Sequence, residues 1–267
     1  MSNLRMIQTT VRNVLKTADA HHAKIDPKLR ASLETATAVL SDADTITIDG
    51  PDLGTAITDA LLDGRDVASD PAVIRAIVGS HITSPAGTSA VRDGATARLW
   101  TLLRDNLDNL ITPFQPPLEK AADTFTQAHA ILSAHNIRSI TDPAIATAPL
   151  TVAEAGIDAR KAQADISAIR SAVDGLLTLT GRADSSPLGH LTRWVDAGNA
   201  SASQILELGR SVTEWDVIAA GYRISVATPT ESAERIQRAN SAQEVANREA
   251  SRDHTQEARA HAYRASN

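Results

Sequence analysis

One segment limits the possible folds more than any other: after Thr151, apolar side chains recur alternately three and four residues apart. Val152, Ala155, Ala159, Ala162, Ile166, Ile169, Val173, Leu176 and Thr180 keep this rhythm until Gly181. The spacing lines one face of an α-helix about eight turns long, with a glycine placed to end it. The first half of the stripe is alanine, which admits a close partner, and the second half is larger aliphatics. A stripe of that length must be covered, and helix on helix is the available solution.

Further stripes repeat the pattern. They are Leu118, Ala121, Phe125, Ala128 and Leu132; Leu4, Ile7, Val11, Val14 and Ala18; and Ile205, Leu208, Val212, Trp215 and Ala219, with Tyr222 as an extension. Shorter ones run Leu29, Leu33, Ala36, Leu40 and Leu99, Leu103, Leu107, Leu110. Proline supplies the punctuation. Asp26-Pro27, Asp70-Pro71, Ser84-Pro85, Asp142-Pro143, Ser186-Pro187 and Thr228-Pro229 each place a side-chain acceptor before a proline. That pair suits a helix start, where the missing proline N–H costs nothing. Thr151 with Glu154 and Thr228 with Glu231 have capping-box spacing. Aromatic residues make up only 3% of the chain, too few large rings for a β-sandwich core. The expected fold is all-α: an antiparallel helical bundle with long heptad-patterned, coiled-coil-like helices, in which 152–180 pairs with 201–221 as a hairpin.

Three regions are expected. Residues 1–112 form an N-terminal helical region containing an acidic linker at 41–70, and 113–225 form the hairpin and bundle. The linker holds eight aspartates (Asp42, Asp44, Asp49, Asp52, Asp59, Asp63, Asp66, Asp70) against Arg65 as its one base, so it belongs on the surface. Within it Thr45 to Ile48 reads as extended, and Asp52 starts a short helix carrying Leu53, Ile57, Leu61 and Leu62, with Gly64 as its stop. Another loop is expected from His135 to Leu150, around Asp142-Pro143 and Pro149. Residues 226–267 form a charged C-terminal helical or flexible tail. From Pro229 onward there is no Gly or Leu, six arginines balance six acids, and the larger apolar residues are Ile236, Val245 and Tyr263. A helix start with so little to bury is expected to order on another chain. Its contact residues would be Ile236, Val245 and Tyr263 with Arg235, Arg238 and Glu244.

Catalytic signatures are missing. The absence of cysteine removes disulfides, thiol nucleophiles and cysteine-ligated metals. There is no P-loop, G-x-G-x-x-G, G-x-S-x-G or H-E-x-x-H. Asp42-Ala43-Asp44-Thr45 is one residue short of the Asp-x-Asp-x-Thr of haloacid dehalogenases and follows a helical pattern where that family has a strand. Asp19-x-x-His22 is a single copy at a helix end. His254, Glu257 and His261 would share one helical face but lack a core to fix them as ligands. The three tryptophans read as core or seam residues. No catalytic, cofactor or metal site is therefore expected. A net charge of −6 does not recruit nucleic acid, and with no membrane-length apolar run or signal-like N-terminus the expected location is cytoplasmic or virion-associated. Arginine outnumbers lysine, of which there are five, a bias that looks like a GC-rich genome such as an actinobacterium or one of its phages. The expected function is non-enzymatic: a helical structural or assembly protein acting through protein–protein contacts, as a homo-oligomer or phage virion component. The alternative is an enzyme with a dispersed Asp/Glu/His acid–base site in a bundle cleft.

Overall fold

The computed structural model describes residues 2–43, 52–209 and 211–265, with side chains described between residues 5 and 252. The chain is predominantly helical and divides into two compact units, one of residues 1–11 and 26–105, the other of residues 12–25 and 106–267. The first helix, α1 (Ser2–Ala20), contributes residues to both.

In the first unit, the carboxylate of Asp26 accepts from the N–H groups of Lys28 and Leu29 and starts α2 (Pro27–Asp42). The stripe Leu29, Leu33, Ala36, Leu40 is buried, and α2 packs on α5 (Pro85–Asp105), where Leu99 and Leu103 are buried. Asp52 caps α3 (Leu53–Leu62) and Asp70 caps α4 (Pro71–Thr83), and these two short helices form a hairpin. Between α4 and α5 the chain turns so tightly that a Cβ on Gly87 would lie 2.2 Å from the carbonyl oxygen of His81. Only glycine fits there.

The second unit is centred on α7 (Gln115–Ala134) and α8 (Leu150–Thr180), which run antiparallel. Before α7 come α6 (Leu107–Ile111) and a 3-10 turn at Thr112–Phe114. All nine seam residues of α8 named above are buried, as are Leu118, Ala121, Phe125, Ala128 and Leu132 of α7. Burying each Leu, Ile or Phe contributes about 1.5–3 kcal/mol, and this pair buries Leu118, Phe125, Leu132, Ile166 and Ile169 among others. Gly181 ends α8 in the left-handed conformation (φ 67°), letting the Arg182 N–H reach back to the Leu177 carbonyl. His22 (φ 56°) and Asn136 (φ 59°) end α1 and α7 by the same device without being glycine.

Around this pair lie α9 (Pro187–Trp194), α10 (Ala202–Leu206), α11 (Glu214–Ala219) and α12 (Pro229–Ala265). A two-residue ribbon joins β1 (Val195–Asp196) to β2 (Arg223–Ile224), antiparallel, with Val195 opposite Ile224. Polar groups hold the short helices in place. Glu214, buried at the start of α11, accepts from Arg170 and Gln163 of α8, and the Arg170 guanidinium lies over the Trp194 ring. Arg193 of α9 pairs with Asp174 of α8 at 3.2 Å.

Several expectations are corrected. The partner of 152–180 is α7, and 201–221 is not one helix. Gly209 takes φ 79°, and Ser201 with Gln204 and Thr213 with Asp216 build two separate capping boxes, so the stretch folds as α10 and α11. The Thr151–Glu154 box does not form, because α8 begins at Leu150 behind Pro149. Leu99 to Leu110 is divided at Asn106 between α5 and α6. Loop 135–149 contains a 3-10 turn (Pro143–Thr147) and buries Ile137, Ile140 and Ile145. Asp70 is buried rather than on the surface, because its carboxylate caps α4 and pairs with Arg65. Thr45 to Ile48 and Asp44 lie outside the described residues.

The tail also departs from expectation. Thr228 and Glu231 close their capping box, Gln115 donates to Glu231, and Thr230 donates to Asp108. Ser232 and Ala239 are buried, and α12 packs on α9 and α10. Its first four turns are therefore part of the second unit. From Glu244 to Arg252 every side chain is exposed.

Candidate functional site

The residues expected to form an interaction stripe on the tail are separated by the fold. Arg235 points inward, donating to the Thr192 carbonyl at 3.1 Å, and burial lowers its pKa. Ile236 is half-buried, and Arg238 lies 3.9 Å from Asp196. Val245 and Glu244 are exposed, with Glu244 paired to Arg248 one turn on. The side chains of Tyr263, His254, Glu257 and His261 lie outside the described residues. Three of the six contact residues thus serve the fold of the second unit, because polar anchoring does what apolar surface alone would not.

A polar cleft in the second unit is the place to look for dispersed acid–base chemistry. A cavity of about 420 Å³ between the end of α1 and the faces of α7 and α8 is lined by His21, His22, Lys120, Asp158, Lys161 and Asp165, among others. His21 Nδ1 lies 3.9 Å from an Asp165 oxygen, beyond hydrogen-bond reach. The left-handed backbone of His22 is accounted for by the helix stop it makes. Both lysines and Asp158 are exposed, so their charges sit in water. Among the described residues, no group of three or more His, Asp or Glu side chains is placed to hold a metal ion. Elsewhere in the unit, His129 packs against Trp215 with ring centres 4.3 Å apart and ring planes tilted by 60°, and burial lowers its pKa. Its ring nitrogen is 3.4 Å from Ser133 Oγ, one turn on in the same helix.

The strongest anomaly lies in the first unit, on the α3–α4 hairpin. Its interior is built from Ala56, Ala60, Val73 and Ala76, with Leu53, Ile57 and Val67 partly buried against them. Five larger aliphatics face out: Leu61, Leu62, Ile74, Ile77 and Val78 are between 46 and 80% exposed. Ile74, Ile77 and Val78 fall three and four apart, which makes one stripe on α4. The hairpin is inside out with respect to side-chain size. Exposed large aliphatics scattered singly are ordinary, whereas several gathered on one small element mark a contact surface.

The hairpin is held in this arrangement by polar caps. The Val73 and Ala72 N–H groups hold the Asp70 carboxyl below the usual carboxylate range, with help from the Arg65 guanidinium. Arg65 also donates to Asp63 at 2.9 Å, which ties the turn between the helices to the start of α4. Asp52 is likewise held low, mainly by the Thr55 hydroxyl and then by its backbone N–H. These bonds fix which faces of α3 and α4 meet, and so fix which faces are left out.

Of the four apolar residues that the sequence places on α3, Leu53 and Ile57 pack partly buried against the hairpin interior, and Leu61 and Leu62 are exposed. The available signal was the second stripe, Ala56 and Ala60, in register with Val73 and Ala76 across the hairpin. Among the described residues, no helix is long and apolar enough to cross a membrane. No protein-family model matches this chain, and no curated protein or solved structure matches it either.

Proposed function

We propose that this chain is a helical assembly protein that works through protein–protein contacts, with the outer face of α3–α4 as its contact surface. One observation carries this reading: the hairpin encloses mainly small residues, Ala56, Ala60, Val73 and Ala76, while Leu61, Leu62, Ile74, Ile77 and Val78 are presented outward. Leaving such side chains in water forgoes about 1.5–3 kcal/mol each, which a partner covering them recovers. A covered face also explains why the caps of both helices are charged and well bonded while their apolar stripe is not used internally. The polar cleft supports the enzymatic alternative less well, because its histidine and carboxylate do not touch and its other charges are solvated.

Site-specific photo-crosslinking in the producing cells tests the proposal. A photoreactive residue at Ile77 is expected to give discrete adducts of defined mass, and the same residue at Asp123, exposed on α7, is not. Equal labelling at both positions, or none at Ile77, would overturn it.

A further inference from the structure

The partner itself can be read from the charge pattern around the exposed face. Helix α4 carries Arg75 and His81 and no acid, whereas α3 carries Asp59 and no base, with Asp52 and Asp63 at its two ends. Asp59 stands three residues before Leu62, and Arg75 three before Val78, so each charge borders the apolar residues of its own helix. One side of the face is thus acidic at its rim and the other basic. A surface of this kind is complementary to itself when turned through a two-fold axis, since the acidic side of each copy then meets the basic side of the other.

We infer that the α3–α4 face is a two-fold contact between copies of this chain, with α4 of one copy lying across α3 of the other. The inference rests on the preceding reading of that face as a contact surface and adds the identity of its occupant. Size agrees with it. The five exposed aliphatics offer on the order of 500 Å² of apolar surface per copy, the extent that marks interaction patches. A standard interface buries roughly 800 Å² per partner, somewhat over half of it apolar. The reciprocal arrangement brings Asp59 of one copy toward Arg75 of the other, twice. Crossing α4 on α4 would instead oppose arginine to arginine, and α3 on α3 would oppose aspartate to aspartate. The rim selects one of the three ways of stacking two such hairpins.

Sedimentation equilibrium on the purified full chain tests this. The expected species is a dimer, twice the 28.2 kDa chain. Ile77→Asp and, separately, Leu62→Asp are expected to weaken it by a hundredfold or more, with unchanged circular dichroism, because both side chains are already largely exposed. Asp59→Arg and Arg75→Asp should each weaken dimerisation about tenfold, since the two-fold axis counts every rim contact twice, and their combination should restore it to within about threefold. A chain that stays monomeric into the millimolar range overturns the second-copy inference. So does a dimer indifferent to Ile77→Asp, or a double charge reversal that fails to restore binding. Crosslinks from Ile77 to a protein of another mass, obtained with a monomeric chain, would overturn this inference alone and leave the contact surface standing.

Discussion

The α7–α8 pair of the second unit and the α3–α4 hairpin of the first are both antiparallel-type helix contacts built on alanine, yet they treat their large side chains oppositely. In α8, the alanines at 155, 159 and 162 set a close approach, while Ile166, Ile169, Val173 and Leu176 continue the same stripe and are buried with them. In the hairpin, Ala56, Ala60 and Ala76 set the approach, and the larger neighbours lie on the next stripe round the helix, in water. What differs is the angular position of the large residues relative to the small ones. A helix whose small and large residues share a face is complete within its own chain. One that divides them between two faces has a contact inside and another still to make.

The largest expected effect probes the completed contact. Ile169→Asp places a charge in a fully buried seam and should cost at least about 4 kcal/mol, enough to unfold the second unit in a urea titration. Ile77→Asp, the same chemical change on the hairpin, should leave the melting temperature within a degree or two. Similar losses from the two would erase the contrast. Next, removing residues 229–267 should destabilise the second unit by about 2–4 kcal/mol, because Glu231, Ser232, Arg235 and Ala239 leave with them, whereas removing 244–267 should be nearly silent.

A smaller effect sharpens the hairpin side. Ala60, with no exposed surface, leaves no room, so Ala60→Leu should cost about 1–3 kcal/mol by overpacking, seen as lost hydrogen-exchange protection in α3 and α4. Stabilisation by that change would mean that the interior has unfilled space and that alanine there is not a packing requirement. The hairpin should also respond to acid. Asp70 is held below its ordinary carboxylate value, so its contribution is intact above about pH 4 and is lost as the pH falls through the lower folded-state value. Protection of α4 should therefore begin to fall below about pH 4 and approach that of Asp70→Asn as the pH passes the folded-state value, and the variant itself should show little further change.

The smallest effect belongs to the second unit. Burial lowers the His129 pKa below its ordinary value of 6.5, so the unfolded chain takes up its proton first as the pH falls. Stability is then complete above that value and declines on acidification. The drop in melting temperature between pH 7.5 and pH 5.5 should be smaller in His129→Gln than in the parent chain.

Much of this was legible in the residues themselves. All six acceptor-proline pairs start a helix or a 3-10 turn, because the chemistry of a helix start is contained in two adjacent residues. The seams of α2, α7 and α8 are buried residue for residue, since a 3-4 rhythm depends only on local periodicity. What failed depended on distant partners or on one dihedral. Ile205 to Ala219 has the rhythm of a helix, but Gly209 takes a positive φ and divides it. The tail looked unanchored because Ile236 and Val245 are few, yet Arg235 finds the Thr192 carbonyl 43 residues away and Gln115 finds Glu231 116 residues away. The outer face of the hairpin was hidden for a related reason. Periodicity counts leucine and alanine alike, so it cannot say which of two neighbouring stripes turns inward.

The contact between Ile145 and Gly156 reaches beyond packing. A Cβ at 156 would stand 2.6 Å from the Ile145 methyl group, so the side chain from the 135–149 connection fills the notch that glycine leaves in α8. Proteases cut where backbone is exposed and detachable, which surface connections usually supply. Here Ile137, Ile140 and Ile145 hold the longest link between the two main helices against the body of the unit. Trypsin should therefore spare Arg138 in the native protein while cutting at Arg248 and Arg252, and Gly156→Ala should add cleavage at Arg138 by displacing Ile145, one of the three side chains that hold the link.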